Sequence, residues 1–86
     1  MKATTAWQVY ILECADGTLY TGSTNDLTRR VREHNASALG AKYTRARRPV
    51  ALRYASAHES RSAALKEEAR IKGLPRSDKL GLLEEV

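Results

Sequence analysis

Residues 7–14, WQVYILEC, are apolar at nearly every position, rich in β-branched and aromatic types, and too few for a helix. Such a run predicts a strand covered on both faces. Asp16-Gly17 is a hairpin signal, and TLYTGS (18–23) reads as the return strand. A two-residue turn would put Tyr10 and Tyr20 on opposite faces. A three-residue loop, Ala15-Asp16-Gly17 with Gly17 left-handed, pairs Leu12 with Tyr20 instead, places Gly22 opposite Tyr10 and brings both phenols to one face. The second arrangement is favoured, with the register left open. A glycine at 22 removes a side chain beside the phenols and lets a ligand approach the backbone.

The period then changes from two to that of a helix. In TNDLTRRVREHN (24–35), Thr24, Asn25 or Asp26 can cap, Leu27, Val31 and His34 form one stripe, and Arg30 flanks it one turn before His34. Residues 36–49, ASALGAKYTRARRP, read as a long, partly ordered basic connection punctuated by Gly40 and Pro49. VALRYAS (50–56) is a third strand. SRSAALKEEARIKGL (60–74) is a helix with Ser60 or Ser62 as cap and Gly73 as stop, its apolar stripe running through Ala64, Leu65, Ala69 and Ile71. PRSDKLGLLEEV (75–86) makes a last short helix using Leu80 and Leu83. The order β-β-α-β-α-α predicts an α/β (α+β) fold, a small three-stranded sheet flanked by helices.

At 86 residues one domain is expected, with a thin core and no disulfide framework, since Cys14 is the only cysteine. A lone cysteine and an N-terminal apolar run shorter than a signal or membrane segment point to a cytoplasmic protein with no membrane partner. The net charge of +5 is unevenly spread: eight Lys or Arg lie between Asp26 and Arg53 against only Asp26 and Glu33. That concentration suits a polyanion partner, although lysines and arginines also solvate loops.

Glu68 falls near the centre of the 60–74 stripe, where a lone carboxylate is costly. Either it pairs with a buried cation or it stays partly open to bind a metal. His34 on its own reads more readily as a packed histidine than as a catalyst, Tyr10 and Tyr20 as ordinary sheet aromatics, and Cys14 as a small buried strand residue.

Together these residues resemble the GIY-YIG nuclease superfamily, closest to its small stand-alone bacterial members. VYI (9–11), YTG (20–22), Arg30, His34 and Glu68 carry the resemblance, in the spacing Tyr-x9-Tyr-x-Gly-x7-Arg-x3-His followed by a helix with a glutamate. The segments 40–50 and 67–80 look like that subgroup too. The resemblance implies a phosphodiesterase site in which Tyr10, Tyr20, Arg30, His34 and Glu68 are catalytic, Gly22 admits substrate, and Glu68 is the main protein ligand of one Mg²⁺ or Mn²⁺. Tyr10 is the candidate for activating water, provided neighbouring cations lower a phenol pKa of about 10. Gln8 stands in place of the first motif's glycine and Thr21 in place of the second's isoleucine. Where many members carry an asparagine about a dozen residues after the glutamate, this chain has Lys79 and Leu80. Lys79 is therefore a candidate phosphate contact.

Lys42, Tyr43, Arg45, Arg47 and Arg48 are expected to touch the substrate backbone, because they supply charge and one stacking ring without a base-reading pattern. The expected activity is metal-dependent cleavage of DNA, preferred over RNA, single-stranded or structured, linked to repair or recombination. The competing readings are a non-catalytic nucleic-acid-binding module and a subunit active only with a protein partner, whose identity the residues leave open.

Overall fold

A computed structural model describes residues 6–83. Its strands are β1 (Trp7–Glu13), β2 (Leu19–Thr24) and β3 (Ala51–His58); its helices are α1 (Leu27–Ala36), α2 (Lys42–Arg45), α3 (Arg61–Lys72) and α4 (Arg76–Leu83). All strand pairs are antiparallel in the order β2-β1-β3, so β1 is central. That position explains its apolar run. Val9 and Ile11 pack toward α3 and α4 with Ala64, Ile71 and Leu83, while Tyr10, Leu12 and Cys14 pack with Val50, Tyr20 and the α1 residues Leu27 and Val31.

The hairpin takes the three-residue form. Gly17 has φ +85, its N–H donates to the Cys14 carbonyl at 2.9 Å, and the Cys14 N–H donates to the Thr18 carbonyl at 2.8 Å. The Asp16 carboxylate closes the turn by accepting from the Thr18 N–H and hydroxyl. Leu12 then faces Tyr20 and Tyr10 faces Gly22. Both phenols share the α1 side of the sheet.

Asp26 caps α1, accepting from the Arg29 N–H, and Thr24 steadies it by accepting from the Asp26 N–H. Ser60 caps α3 in the same way through the Ala63 N–H, and Gly73 ends that helix with ordinary negative φ.

The basic connection is partly ordered, holding a short helix, α2, whose four residues are too few to show a period. Two expectations need correction. The stripe of α3 is not the expected one: Leu65 is 44% exposed and Ala69 is exposed, while Ala64 and Ile71 are fully buried. Positions 64, 67, 68 and 71 therefore face inward, and two glutamates sit between the apolar anchors. Finally, Leu80 is 38% exposed and Leu82 takes its expected place against the core beside Leu83; residues 84–86 of the expected last helix lie outside the described residues.

Candidate active site

The antiparallel register and α1 bring Tyr10, Tyr20 and His34 into one aromatic cluster. Ring centroids lie 6.4 Å apart for Tyr10–Tyr20, 5.8 Å for Tyr10–His34 and 5.1 Å for Tyr20–His34. Tyr10 is 1% exposed and His34 fully buried. Burial of polar atoms on this scale requires partners. Tyr10 Oη lies 2.9 Å from His34 Nε2, and His34 Nδ1 lies 2.8 Å from Thr44 Oγ1. The Thr44 hydroxyl donates its one proton to the Ala41 carbonyl at 3.0 Å.

Burial, reinforced by the Arg30 charge, pushes the His34 pKa down to about 4, so the ring is neutral at pH 7. Burial also pushes the Tyr10 phenol up to about 12; Tyr20 adds to the rise, and Arg30 offsets only part of it. The condition set for Tyr10 as a ready base, that nearby cations lower its pKa, is therefore not met, because desolvation outweighs them.

Arg30 lies beside the cluster. Its guanidinium donates to Glu33 Oε1 at 2.9 Å and to the Leu39 carbonyl at 2.8 Å. Partial burial opposes its charge, but the bonds toward Glu33 and Tyr10 hold its pKa above the ordinary value. Gly22 is essential to the arrangement. A Cβ there would come within 2.5 Å of Tyr10 Oη and 3.2 Å of the Tyr20 ring. The missing side chain lets the buried phenol pack directly against the backbone of β2.

Glu68 approaches from the other face of the sheet. Ser23 pairs with Val9, on the α3 side, and its hydroxyl donates to Glu68 Oε1 at 2.7 Å. Lys72 Nζ lies 2.7 Å from the other carboxylate oxygen. Burial pushes the Glu68 carboxyl up, but the hydrogen bonds from Lys72 and Ser23 outweigh it and leave the group ionised below its usual range. Its side chain is 16% exposed, so it is not sealed in the interior. Its charge also reaches Tyr10, whose proton it helps to retain. The cluster and the carboxylate thus flank edge strand β2 at Gly22 and Ser23, an arrangement the stripe of α3 alone did not reveal.

Among the described residues no three His, Cys, Asp or Glu side chains group as a ready metal cage. One ionised, hydroxyl-steadied carboxylate does fit Mg²⁺ or Mn²⁺, since Mg²⁺ commonly keeps most of its water and takes one or two protein carboxylates. Ser23 would keep that carboxylate oriented, and Lys72 would have to move aside.

The basic segment divides into exposed and committed residues. Lys42 is exposed, as is Arg45 apart from a 3.4 Å bond to the Ala38 carbonyl. Tyr43 stacks against Tyr20 with centroids 6.0 Å apart and carries the Arg47 guanidinium 3.9 Å above its ring. Arg47 also pairs with Asp16 at 3.0 Å, tying the segment to the hairpin. Arg48 is fully engaged: it donates to the carbonyls of His34 at 2.6 Å, Glu33 at 3.1 Å and Ser37, closing the end of α1. Its expected role as a substrate contact is corrected to that of a helix cap. Gly40 makes room for this cap, since a Cβ would meet the Glu33 carbonyl at 2.6 Å. Lys79 is half-buried on α4.

Thr44, Ser23 and Lys72 escaped the reading of the sequence. Only Thr44 had a signal, as the one short polar side chain in a stretch of charged and aromatic residues.

The chain is similar to known proteins in sequence and fold. The family model for the GIY-YIG catalytic domain matches residues 6–80. A UPF0213 protein of Desulfotalea psychrophila is 59% identical over 69 residues, 80% of this chain and 63% of the relative, so the chain spans under two thirds of that protein. A UPF0213 protein of Halobacterium salinarum is 55% identical over 74 residues, 86% of this chain and 95% of the relative. The solution NMR structure of the UPF0213 protein BH0048 from Bacillus halodurans is similar at 46% identity and TM-score 0.58, over 91% of this chain and 82% of that one. The NMR structure of EF2693 from E. faecalis is similar at 39% identity and TM-score 0.64, over 99% of this chain and 90% of that one.

Proposed function

The chain belongs to the GIY-YIG family, and from that membership we propose that it is a divalent-metal-dependent endonuclease hydrolysing phosphodiester bonds in DNA. The observation that most supports this reading is the Tyr10 hydroxyl held on His34 beneath the bare Cα of Gly22, with Arg30 beside it and Glu68 across the strand edge. In this reading the substrate is single-stranded or structured DNA, with a role in repair or recombination, and the exposed Lys42 and Arg45 supply charge for its backbone. A cytoplasmic setting suits it; no described helix is long and apolar enough to cross a membrane.

A bound Mg²⁺ or Mn²⁺ would supply Lewis-acid polarisation of the phosphoryl oxygens, with Glu68 as its protein ligand. Arg30 brings a permanent, planar charge to the phosphorane as it builds negative charge. Tyr10 need not ionise beforehand. As its oxygen takes a proton from the attacking water, its own proton passes to Nε2 of neutral His34, the bond between them being already formed. Tyr20 packs against both rings and fixes their orientation. Lys42, Tyr43 and Arg45 hold the backbone outside the site, and Lys79 remains a candidate contact for a flanking phosphate.

Cleavage of labelled single-stranded, duplex and branched DNA with Mg²⁺, Mn²⁺ or EDTA tests the reading. Metal-dependent products from the wild type and none from Glu68→Ala are expected. Equal cutting by both proteins would assign the activity to a contaminant. Tyr10→Phe should bind DNA normally but cleave it at least ~10²-fold more slowly; full activity would remove Tyr10 from the proton path. The burial of Tyr10 and the occupation of Glu68 by Lys72 favour one second reading, a nucleic-acid-binding module that acquires activity only with a partner. Binding without cleavage under every metal condition would select it.

A further inference from the structure

We propose that Thr44 is a positioning residue that fixes His34 in the Nδ1–H tautomer, leaving the Nε2 lone pair to hold the Tyr10 hydroxyl. The Ala41 carbonyl only accepts, from the Arg45 N–H at 3.0 Å and from the Thr44 hydroxyl at 3.0 Å, and with the second bond made the single Thr44 proton is spent. The Thr44 oxygen facing His34 Nδ1 at 2.8 Å must then accept, and Nδ1 carries the hydrogen. A neutral imidazole has only one N–H, so Nε2 is an acceptor and the phenol is its donor at 2.9 Å. Direction is thereby set along the whole chain, from Tyr10 through His34 and Thr44 to Ala41.

Packing alone does not call for this residue. Thr44 is fully buried, and valine would fill the same volume without a hydroxyl to satisfy. A hydroxyl that only capped the turn of α2 would need Ala41 alone, whereas this one also lies 2.8 Å from His34 Nδ1. Thr44 lies between Tyr43 and Arg45 on α2, so the segment offered to the substrate backbone also sets the ring that serves Tyr10. This inference rests on the proposed nuclease reading for its catalytic meaning, but the tautomer itself does not depend on activity.

Two-bond ¹H–¹⁵N NMR of ¹⁵N-histidine-labelled protein, with neither DNA nor metal, tests it. Wild type and Thr44→Ser should show protonated Nδ1 and bare Nε2 at His34; Thr44→Val should lose that pattern and gain Nε2–H. In the cleavage assay Thr44→Val should lose kcat at unchanged KM, with Thr44→Ser restoring it. Protonated Nε2 in the wild type, or an unchanged tautomer in folded Thr44→Val, would overturn the proposal. Should Thr44→Val fail to fold, the wild-type and Thr44→Ser spectra decide alone. A chain with the expected tautomers and no cleavage would contradict the nuclease reading and leave the tautomer assignment standing.

Discussion

Toward α3, strand β1 presents Val9 and Ile11 to Ala64, Ile71 and Leu83, an apolar contact with no hydrogen bond to satisfy. Toward α1, the same strand presents Tyr10 to His34, and behind His34 lies Thr44, three buried polar side chains joined end to end. The first face stabilises the fold through area removed from water, roughly 1.5–3 kcal/mol for each fully buried large aliphatic side chain. The second gains little net stability from its hydrogen bonds, about 0.5–1.5 kcal/mol each, and loses more if any partner is removed. One strand thus divides labour between its faces. Leu12 adds apolar burial on the α1 side, among Val50, Leu27 and Val31, so both faces contribute stability and only the α1 side also holds a buried chain of polar groups from this strand.

The most forceful way to break this comparison is to cut a hole in the apolar side. Ile71→Ala should lower the unfolding free energy by about 2–5 kcal/mol in urea titrations. If the faces are independent, the His34 imidazole signals of the still-folded protein stay where they are. Large shifts there would show that the division is false.

A smaller effect comes from pH. The unfolded chain protonates His34 near 6.5, whereas the folded chain does so only near about 4. The folded pKa is depressed, so the stability tied to neutral His34 is complete above pH 6.5 and is lost as pH falls toward 4. The loss is worth roughly 3 kcal/mol. Urea midpoints for the wild type should fall across that window, and those of His34→Gln should fall less. Parallel pH profiles would place the titration elsewhere.

Smallest are the effects on the basic segment, where the same residue type has two uses. Arg48→Ala should cost about 1–3 kcal/mol of stability by uncapping α1. Lys42→Ala should leave stability within about 0.5 kcal/mol and instead lower the salt dependence of DNA binding by about one unit of slope. A stability loss in Lys42→Ala equal to that of Arg48→Ala would erase the distinction.

What could be read from the sequence followed the same divide. The strands, the three-residue hairpin loop and the shared face of Tyr10 and Tyr20 follow from Gly17 and from period-two spacing, both local facts. The membership of Arg30, His34 and Glu68 came from spacing matched to a family. The stripe of α3 was misread because leucine at 65 looks like an anchor until the crossing of the helix over the sheet is known. Arg48 looked like three other basic neighbours, since its use depends on where α1 ends, and Ser23 and Thr44 acquire meaning only from partners 45 and 10 residues away.

The central claim is that a cation at Glu68 and the Tyr10–His34 pair belong to one site although they lie on opposite faces of β2. Paramagnetic broadening by Mn²⁺ tests it most directly. Titrated into ¹⁵N-labelled protein, Mn²⁺ should broaden Gly22, Ser23 and Glu68 first and the Tyr10 and His34 ring signals with them, and Glu68→Gln should abolish the effect. Broadening confined to other surfaces, or unchanged in Glu68→Gln, would contradict the account.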